Sequence, residues 1–269
     1  TLSSLTAGVI EGIDPILAKE QPDLVLVQGD TSTTFVAALA AFYHRTPVGH
    51  IEAGLRTGQK YSPWPEEINR KLTTGLADLH FAPTALAKEN LLKEGINSEN
   101  IYVTGNTVID ALLATVKKEY EFTDRTLNQI LNANKDKRLI LLTTHRRENL
   151  GEPLRQIYQA LAQILAEHPD TYVVFPMHKN PAVRRVVAEV LGHRQRIYLI
   201  EPLDYEPFVN LMARAYLVLT DSGGIQEEAP SLGKPVLCVR DTTERPEAVA
   251  AGTVLLVGTE YQGVYAGLT

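Results

Sequence analysis

The sequence predicts an α/β fold whose sheets are mainly parallel and whose elements divide between two domains. Three observations carry that reading: short apolar runs that recur along the chain, longer helix-like runs between most of them, and one break in the alternation. At the start, Leu2, Leu5, Val9, Ile13 and Ile16 recur every three or four residues, so 1–20 reads as an amphipathic helix. Gly12 and Pro15 weaken it, and Pro22-Asp23 ends it. The run Leu24-Val25-Leu26-Val27 that follows is apolar on both faces, as in strands of parallel sheets covered by helices. Comparable strand-like runs lie at 47–51, 79–82, 101–104, 138–144, 171–176, 197–200, 216–220, 235–239 and 253–257. Strands alternating with helices imply right-handed parallel crossovers. The alternation fails once: 119–137 is polar, carries Asn128, Asn132 and Asn134, and holds no strand. The domain junction is expected there, giving domains 1–125 and 126–269.

Composition narrows the function. The 269 residues are 44% apolar and 22% charged, an ordinary globular mixture that rules out disorder and fibrous repeats. Lys and Arg (26) against Asp and Glu (32) give a net charge of −6 with no basic run, so nucleic acid is not an expected partner. No stretch of 18 apolar residues predicts a membrane span, and no secretory signal opens the chain, so a cytoplasmic protein is expected. Cys238 is alone and sits in an apolar strand-like run, where it reads as a core thiol. The histidines lack metal-ligand spacing, so no metal is expected.

Ligands of open α/β sheets bind beyond the carboxyl ends of strands. Polar residues cluster there: Gly29-Asp30-Thr31, His50 with Glu52, 143–148, His178-Lys179-Asn180, and Thr220-Asp221-Ser222-Gly223-Gly224. Asp30 reads either as a helix N-cap or as a site carboxylate. Glu52 reads either as a salt-bridge partner of Arg56 or as a second site carboxylate. Glu66 and Glu67, after Ser62-Pro63-Trp64-Pro65, suit an acidic first helical turn. Convergence of carboxylates from different loops is the competing reading, because it is how a site separates acid from base. His145-Arg146-Arg147 reads as an anion clamp, and His178 admits the same argument. Ser222-Gly223-Gly224, between strand and helix, lets backbone amides approach a phosphate. Glu227 and Glu228, one turn on, suit either ribose hydroxyls or a solvated face. Neither a dinucleotide fingerprint nor a P-loop occurs, so a nicotinamide cofactor and ATP hydrolysis are not supported.

Taken together, these residues resemble the non-hydrolysing UDP-N-acetylglucosamine 2-epimerase family. The resemblance rests on Gly29-Asp30-Thr31-Ser32-Thr33-Thr34, Gly49-His50-Ile51-Glu52-Ala53-Gly54-Leu55-Arg56-Thr57-Gly58, Ser62-Pro63-Trp64-Pro65-Glu66-Glu67 and Gly105-Asn106-Thr107-Val108-Ile109-Asp110. It continues through His145-Arg146-Arg147-Glu148, the run from Thr220 to Pro230, and Arg240-Asp241-Thr242-Thr243-Glu244-Arg245-Pro246-Glu247. It implies two Rossmann-like domains of the B-type glycosyltransferase architecture, with the active site in the cleft between them. It also implies acid–base roles for Asp30, Glu52 and Glu66 and a part in activity for His145. Phe208, Ser222, Gly223, Gly224, Glu228 and Arg245 are expected to hold UDP, with the uracil against 203–208, where Leu203 replaces the Gln of some members. Arg146 and His178 are expected at the same cleft, where some bacterial members take up a second, activating UDP-N-acetylglucosamine.

The implied reaction is reversible interconversion of UDP-N-acetylglucosamine and UDP-N-acetylmannosamine, without cofactor or metal, in a homodimer. Measured against the family, a first strand with a Gly-Thr-Arg-Pro-Glu loop and the last helices are expected to be missing from this sequence. Two other functions fit the architecture: a UDP-sugar glycosyltransferase, which gives no reason for Asp30, Glu52 and Glu66, and a UDP-sugar binding protein without turnover.

Overall fold

The computed structural model describes residues 1–269, apart from the side chain of Arg147. The chain divides into two compact units, Thr1–Thr107 and Val108–Thr269.

In the first unit the elements run α1 (Leu2–Glu20), β1 (Val25–Gln28), α2 (Ser32–Tyr43), β2 (Val48–Ile51), α3 (Glu66–Leu76), β3 (Leu79–Ala82), α4 (Ala85–Lys93) and β4 (Ile101–Val103). The four strands pair in parallel in the order β1-β2-β3-β4. Helix α1 passes through both Gly12 and Pro15, begins with Thr1 capping the Ser4 amide, and ends where Gln21 turns left-handed. Its apolar side belongs to a cluster with α2, β1 and β2 that includes Leu17, Val27, Ala38, Ala41 and Val48.

The second unit holds α5 (Thr107–Thr115), α6 (Arg125–Ala133), β5 (Arg138–Thr143), α7 (Glu152–Glu167), β6 (Thr171–Pro176), α8 (Pro181–Val190), β7 (Ile197–Ile200) and α9 (Tyr205–Ala213). It continues through β8 (Leu217–Thr220), α10 (Ile225–Ser231), β9 (Val236–Cys238), α11 (Pro246–Ala250), β10 (Val254–Leu256) and α12 (Tyr261–Leu268). Its six strands are all parallel in the order β10-β9-β8-β5-β6-β7. The chain therefore winds one way from β5 to β7 and the other way from β8 to β10. This is the doubly wound arrangement, and it leaves a topological switch point between β5 and β8, where such sheets bind ligands. Apolar clusters cover both faces of this sheet, and Cys238 is buried in one of them. Burial pushes its thiol up to about 12, so it is an inert core group.

The division at Thr107 lies earlier than the 125/126 boundary expected from polarity. The reason is packing: Leu112, Phe122, Leu127, Ile130 and Leu131 all belong to the apolar cluster of the second unit. The polar stretch is the surface of a segment that is anchored from underneath. Among the described residues, no helix is long and apolar enough to cross a membrane.

Gly54 shows how tightly the loop after β2 is set. Its φ is +86°, and an added Cβ would lie 2.2 Å from the carbonyl oxygen of Ala87 in α4. Backbone cannot yield as a flexible side chain does. Gly54→Ala is expected to destabilise the protein by about 2 kcal/mol or more, combining the left-handed penalty with the clash. Urea denaturation checks this; an unchanged midpoint would show that the loop is not held by this contact.

Candidate functional site

In the first unit, the chemistry gathers at the exits of β1 and β2. Asp30 follows β1, but Thr31, not Asp30, caps α2: the Thr31 hydroxyl accepts from the Thr34 amide at 3.2 Å. The Asp30 carboxylate is thereby left for another partner, and Arg70 in α3 takes it, with Nη2 donating to Oδ2 at 2.5 Å. Asn69 donates to the Asp30 carbonyl at 3.0 Å. The same guanidinium donates through Nη1 to the Glu52 carbonyl oxygen, and Nη1 stands 3.8 Å from Glu52 Oε2. Arg70 is only 3% exposed.

Glu52 turns left-handed at φ +69° directly after β2. A non-glycine residue in this region costs energy and persists where the surroundings fix it. Its carboxylate accepts from Asn106 Nδ2 at 2.9 Å. Arg56, the partner that spacing allowed, grips Glu94 with Nε at 2.8 Å and Nη2 at 2.6 Å. Glu66 opens α3, and its Oε2 is buried without a hydrogen-bond partner among the described residues. Glu67, its neighbour, is structural and accepts from the amides of Thr57 at 2.9 Å and Gly58 at 3.1 Å. Glu66 and Arg70 are four residues apart, so they share a face of α3. Three carboxylates thus stand at the start of one helix and at two strand exits.

In the second unit, the switch point is closed at its base by the hydroxyls of Thr143 and Thr220, 2.6 Å apart. Above them Asp221, fully buried, accepts from the amides of His145 and Arg146, each at 3.0 Å, and from Asn149 Nδ2 at 3.1 Å. His145 Nδ1 lies 3.1 Å from the same carboxylate. Burial alone would raise the Asp221 carboxyl, but its bonds from His145 and from the two amides hold it below the usual range. The His145 ring stacks on His178, with centroids 6.0 Å apart, and both line a cavity of about 170 Å³ with Thr144, Pro202, Leu203 and Phe208. The Arg147 side chain, the third member of the expected clamp, lies outside the described residues.

The Ser-Gly-Gly loop enters the same end of the sheet. The Ser222 amide donates to Thr220 Oγ1 at 3.0 Å. A Cβ at Gly223 would be 2.8 Å from Arg245 Nη1 and 3.0 Å from Glu244 Oε1, so those two side chains would have to shift to admit it. Arg245 donates through Nε to Glu227 and stands 3.3 Å from Glu244, which also accepts from Arg240 at 3.0 Å. Arg146 approaches Glu244 at 3.9 Å. Burial and the neighbouring Glu227 push the Glu228 carboxyl up, while Arg245 opposes them. Buried cations beside a glycine loop are groups that a diphosphate can engage. Among the described residues, no group of three or more His, Cys, Asp and Glu side chains is placed to hold a metal ion.

Comparison with known proteins gives the family. The family model for UDP-N-acetylglucosamine 2-epimerase matches residues 1–269. The chain belongs to that family. It is 55% identical to the UDP-N-acetylglucosamine 2-epimerase of Escherichia coli O157:H7, over all of this chain and 72% of that protein. The Bacillus subtilis (strain 168) protein of the same name is 52% identical over 98% of this chain and 68% of its own length. Among solved structures, the S. aureus MnaA–UDP co-structure superposes with a TM-score of 0.94 at 52% identity, covering 99% of this chain and 72% of that one. The Neisseria meningitidis UDP-GlcNAc 2-epimerase bound to UDP-GlcNAc gives 0.93 at 51% identity, with the same coverage.

Four residues that reasoning from sequence did not single out organise these sites: Arg70, Asn106, Asp221 and Glu244. Arg70 carried one usable signal, its place one turn after Glu66. Asp221 carried another, since it sits directly before Ser222-Gly223-Gly224.

His50 gives a pH test of the first unit. It is fully buried at the end of β2, its Nε2–H donates to the Gly29 carbonyl at 2.8 Å, and its Nδ1 has no partner among the described residues. Burial lowers it to about 3, with the charges of Arg70, His80 and Arg56 adding to the effect. The unfolded chain binds this proton below about pH 6.5 and the folded one does not, so stability is lost as pH falls from 6.5 towards 3. The full loss from this group is on the order of 5 kcal/mol. His50→Asn, which keeps a donor for Gly29, is expected to flatten the stability profile between about pH 7 and pH 4. An unchanged slope in denaturant titrations would contradict the assignment.

Proposed function

We propose that this chain is a cytoplasmic isomerase that interconverts UDP-N-acetylglucosamine and UDP-N-acetylmannosamine by inverting carbon 2 of the sugar. The observation that carries the reading is the bridging of Asp30 and Glu52 by one buried guanidinium, in a chain whose relatives bear the name UDP-N-acetylglucosamine 2-epimerase. The proton on carbon 2 is weakly acidic, so its removal needs the bond at carbon 1 to break with it. A carboxylate takes the proton, the released electron pair forms the carbon 1–carbon 2 double bond, and the electrons of the carbon–oxygen bond leave with UDP. Anti elimination gives a 2-acetamidoglucal. In return, a UDP oxygen adds to carbon 1, and carbon 2 takes a proton on the opposite face from a different acid.

Asp30, Glu52 and Glu66 supply the acid–base groups, and His145 assists. Arg146, His178, Phe208, Ser222, Gly223, Gly224, Glu228 and Arg245 hold the UDP, whose charge grows as it departs; fixed donors aimed at developing charge are a large source of rate. For the phosphate to engage Arg245, it competes with Glu227 and Glu244 for the guanidinium. A homodimer, and a second UDP-N-acetylglucosamine near Arg146 and His178, complete the reading and rest on the family resemblance.

Proton NMR of UDP-N-acetylglucosamine incubated with the enzyme in heavy water tests this. Both epimers are expected to carry deuterium at carbon 2. Asp30→Asn, Glu52→Gln and Glu66→Gln are each expected to slow turnover by on the order of 100-fold or more. Arg245→Ala should instead weaken UDP binding in calorimetry. Retention of the original hydrogen at carbon 2 in the product would exclude the elimination.

A further inference from the structure

Asp221 is a fully buried carboxylate, and a charge out of water persists only where it is paired and hydrogen-bonded. Its partners have a pattern. Two backbone amides and the Asn149 side chain donate to it, the amides being those of His145 and Arg146, and the His145 ring turns Nδ1 to within 3.1 Å of it. An ionised carboxylate only accepts hydrogen bonds. His145 Nδ1 therefore carries a hydrogen, and in the neutral ring Nε2 carries the lone pair.

The neighbouring imidazole is set the opposite way. His178 Nδ1 accepts from the Asn180 amide at 3.1 Å, so its hydrogen is on Nε2. Two stacked rings at the mouth of one cavity thus differ in what their Nε2 atoms offer: an acceptor on His145, a donor on His178. If the carboxylate only tied the loop together, the amides of His145 and Arg146 and the Asn149 side chain would suffice, and the imidazole would have no need to turn inward.

We propose that Asp221 is a positioning residue for His145. It fixes the ring in the Nδ1–H tautomer so that Nε2 faces the substrate as a proton acceptor, and it ties this histidine to the glycine loop that Asp221 itself begins. The inference rests on the epimerase reading for its effect on turnover, but not for the tautomer. The orienting carboxylate of a hydrolase triad acts in the same physical way.

The test has two arms. In the wild-type enzyme, long-range ¹⁵N–¹H NMR of the histidine rings is expected to find the His145 hydrogen on Nδ1 and the His178 hydrogen on Nε2. A His145 hydrogen on Nε2 overturns the proposal, whatever the activity and whether or not any variant folds. In the second arm, Asp221→Asn keeps the shape and an oxygen for the amides, but its NH₂ group faces Nδ1 and forces the other tautomer. Turnover is expected to fall by roughly 100-fold or more, with UDP affinity in calorimetry nearly unchanged. In a His145→Gln background the same substitution is expected to cost almost nothing further, since it acts through the ring. An equal loss in both backgrounds would make Asp221 structural only and overturn the proposal. Wild-type protein that does not turn over UDP-N-acetylglucosamine would refute the epimerase reading instead, and the tautomer result would stand apart from it.

Discussion

The guanidinium of Arg70, buried in α3, donates at once to the Asp30 carboxylate and to the Glu52 carbonyl, and the geometry of the first unit's site depends on that bridge. Asp30 and Glu52 come from different strand exits, and nothing local in either loop would hold two carboxylates near each other against their repulsion. A fork-shaped cation can bind two acceptors with fixed spacing, where an ammonium acts as a point charge. Around it the rest is arranged. Glu67 pins the amides of Thr57 and Gly58 beneath the start of α3, Asn69 holds the Asp30 carbonyl, and Asn106 holds Glu52. Removing one partner from such a buried set leaves an uncompensated charge, which is costly.

The second unit solves the same problem with the signs exchanged. There the central buried charge is the Asp221 carboxylate, and its donors come from the loop after β5, the neighbouring strand. The parallel pairing of β5 with β8 brings these exits side by side, with Thr143 opposite Thr220 in register. A doubly wound sheet reverses direction at this point, which is why the glycine loop, His145 and Arg146 meet although about 75 residues separate them. Gly223 then admits Arg245 and Glu244 to close contact, and Glu227 and Glu244 hold the Arg245 guanidinium in place.

Much of this was legible in sequence. Apolar runs of strand length located the strands of both sheets to within a residue or two, because strands of parallel sheets are rich in apolar residues even where, as at Leu26 and Val103, one face is exposed. The polar clusters do stand at strand exits, and long motifs identified the family. Local reasoning failed where tertiary contacts choose between equal options. Asp30 suited an N-cap, but Thr31 stands one residue closer to α2. Glu52 suited Arg56, but Arg56 also has Glu94, from the end of α4, to grip. The polar stretch at 119–137 suited a junction, yet Phe122, Leu127, Ile130 and Leu131 bury its underside. Arg70 was not noticed and Asp221 was noticed without a role, for a common reason: a buried charge is defined by partners far away along the chain, and no spacing rule reports those.

Arg70→Lys is the most direct test, because it keeps the positive charge and removes the fork. With the wild-type fold verified by denaturation, the account expects turnover of UDP-N-acetylglucosamine to drop by on the order of 100-fold, as when a general acid or base is displaced, while UDP still binds with nearly wild-type affinity. A folded Arg70→Lys enzyme that turns over at close to the wild-type rate would contradict it, since Asp30 and Glu52 would then hold their places without the bridge.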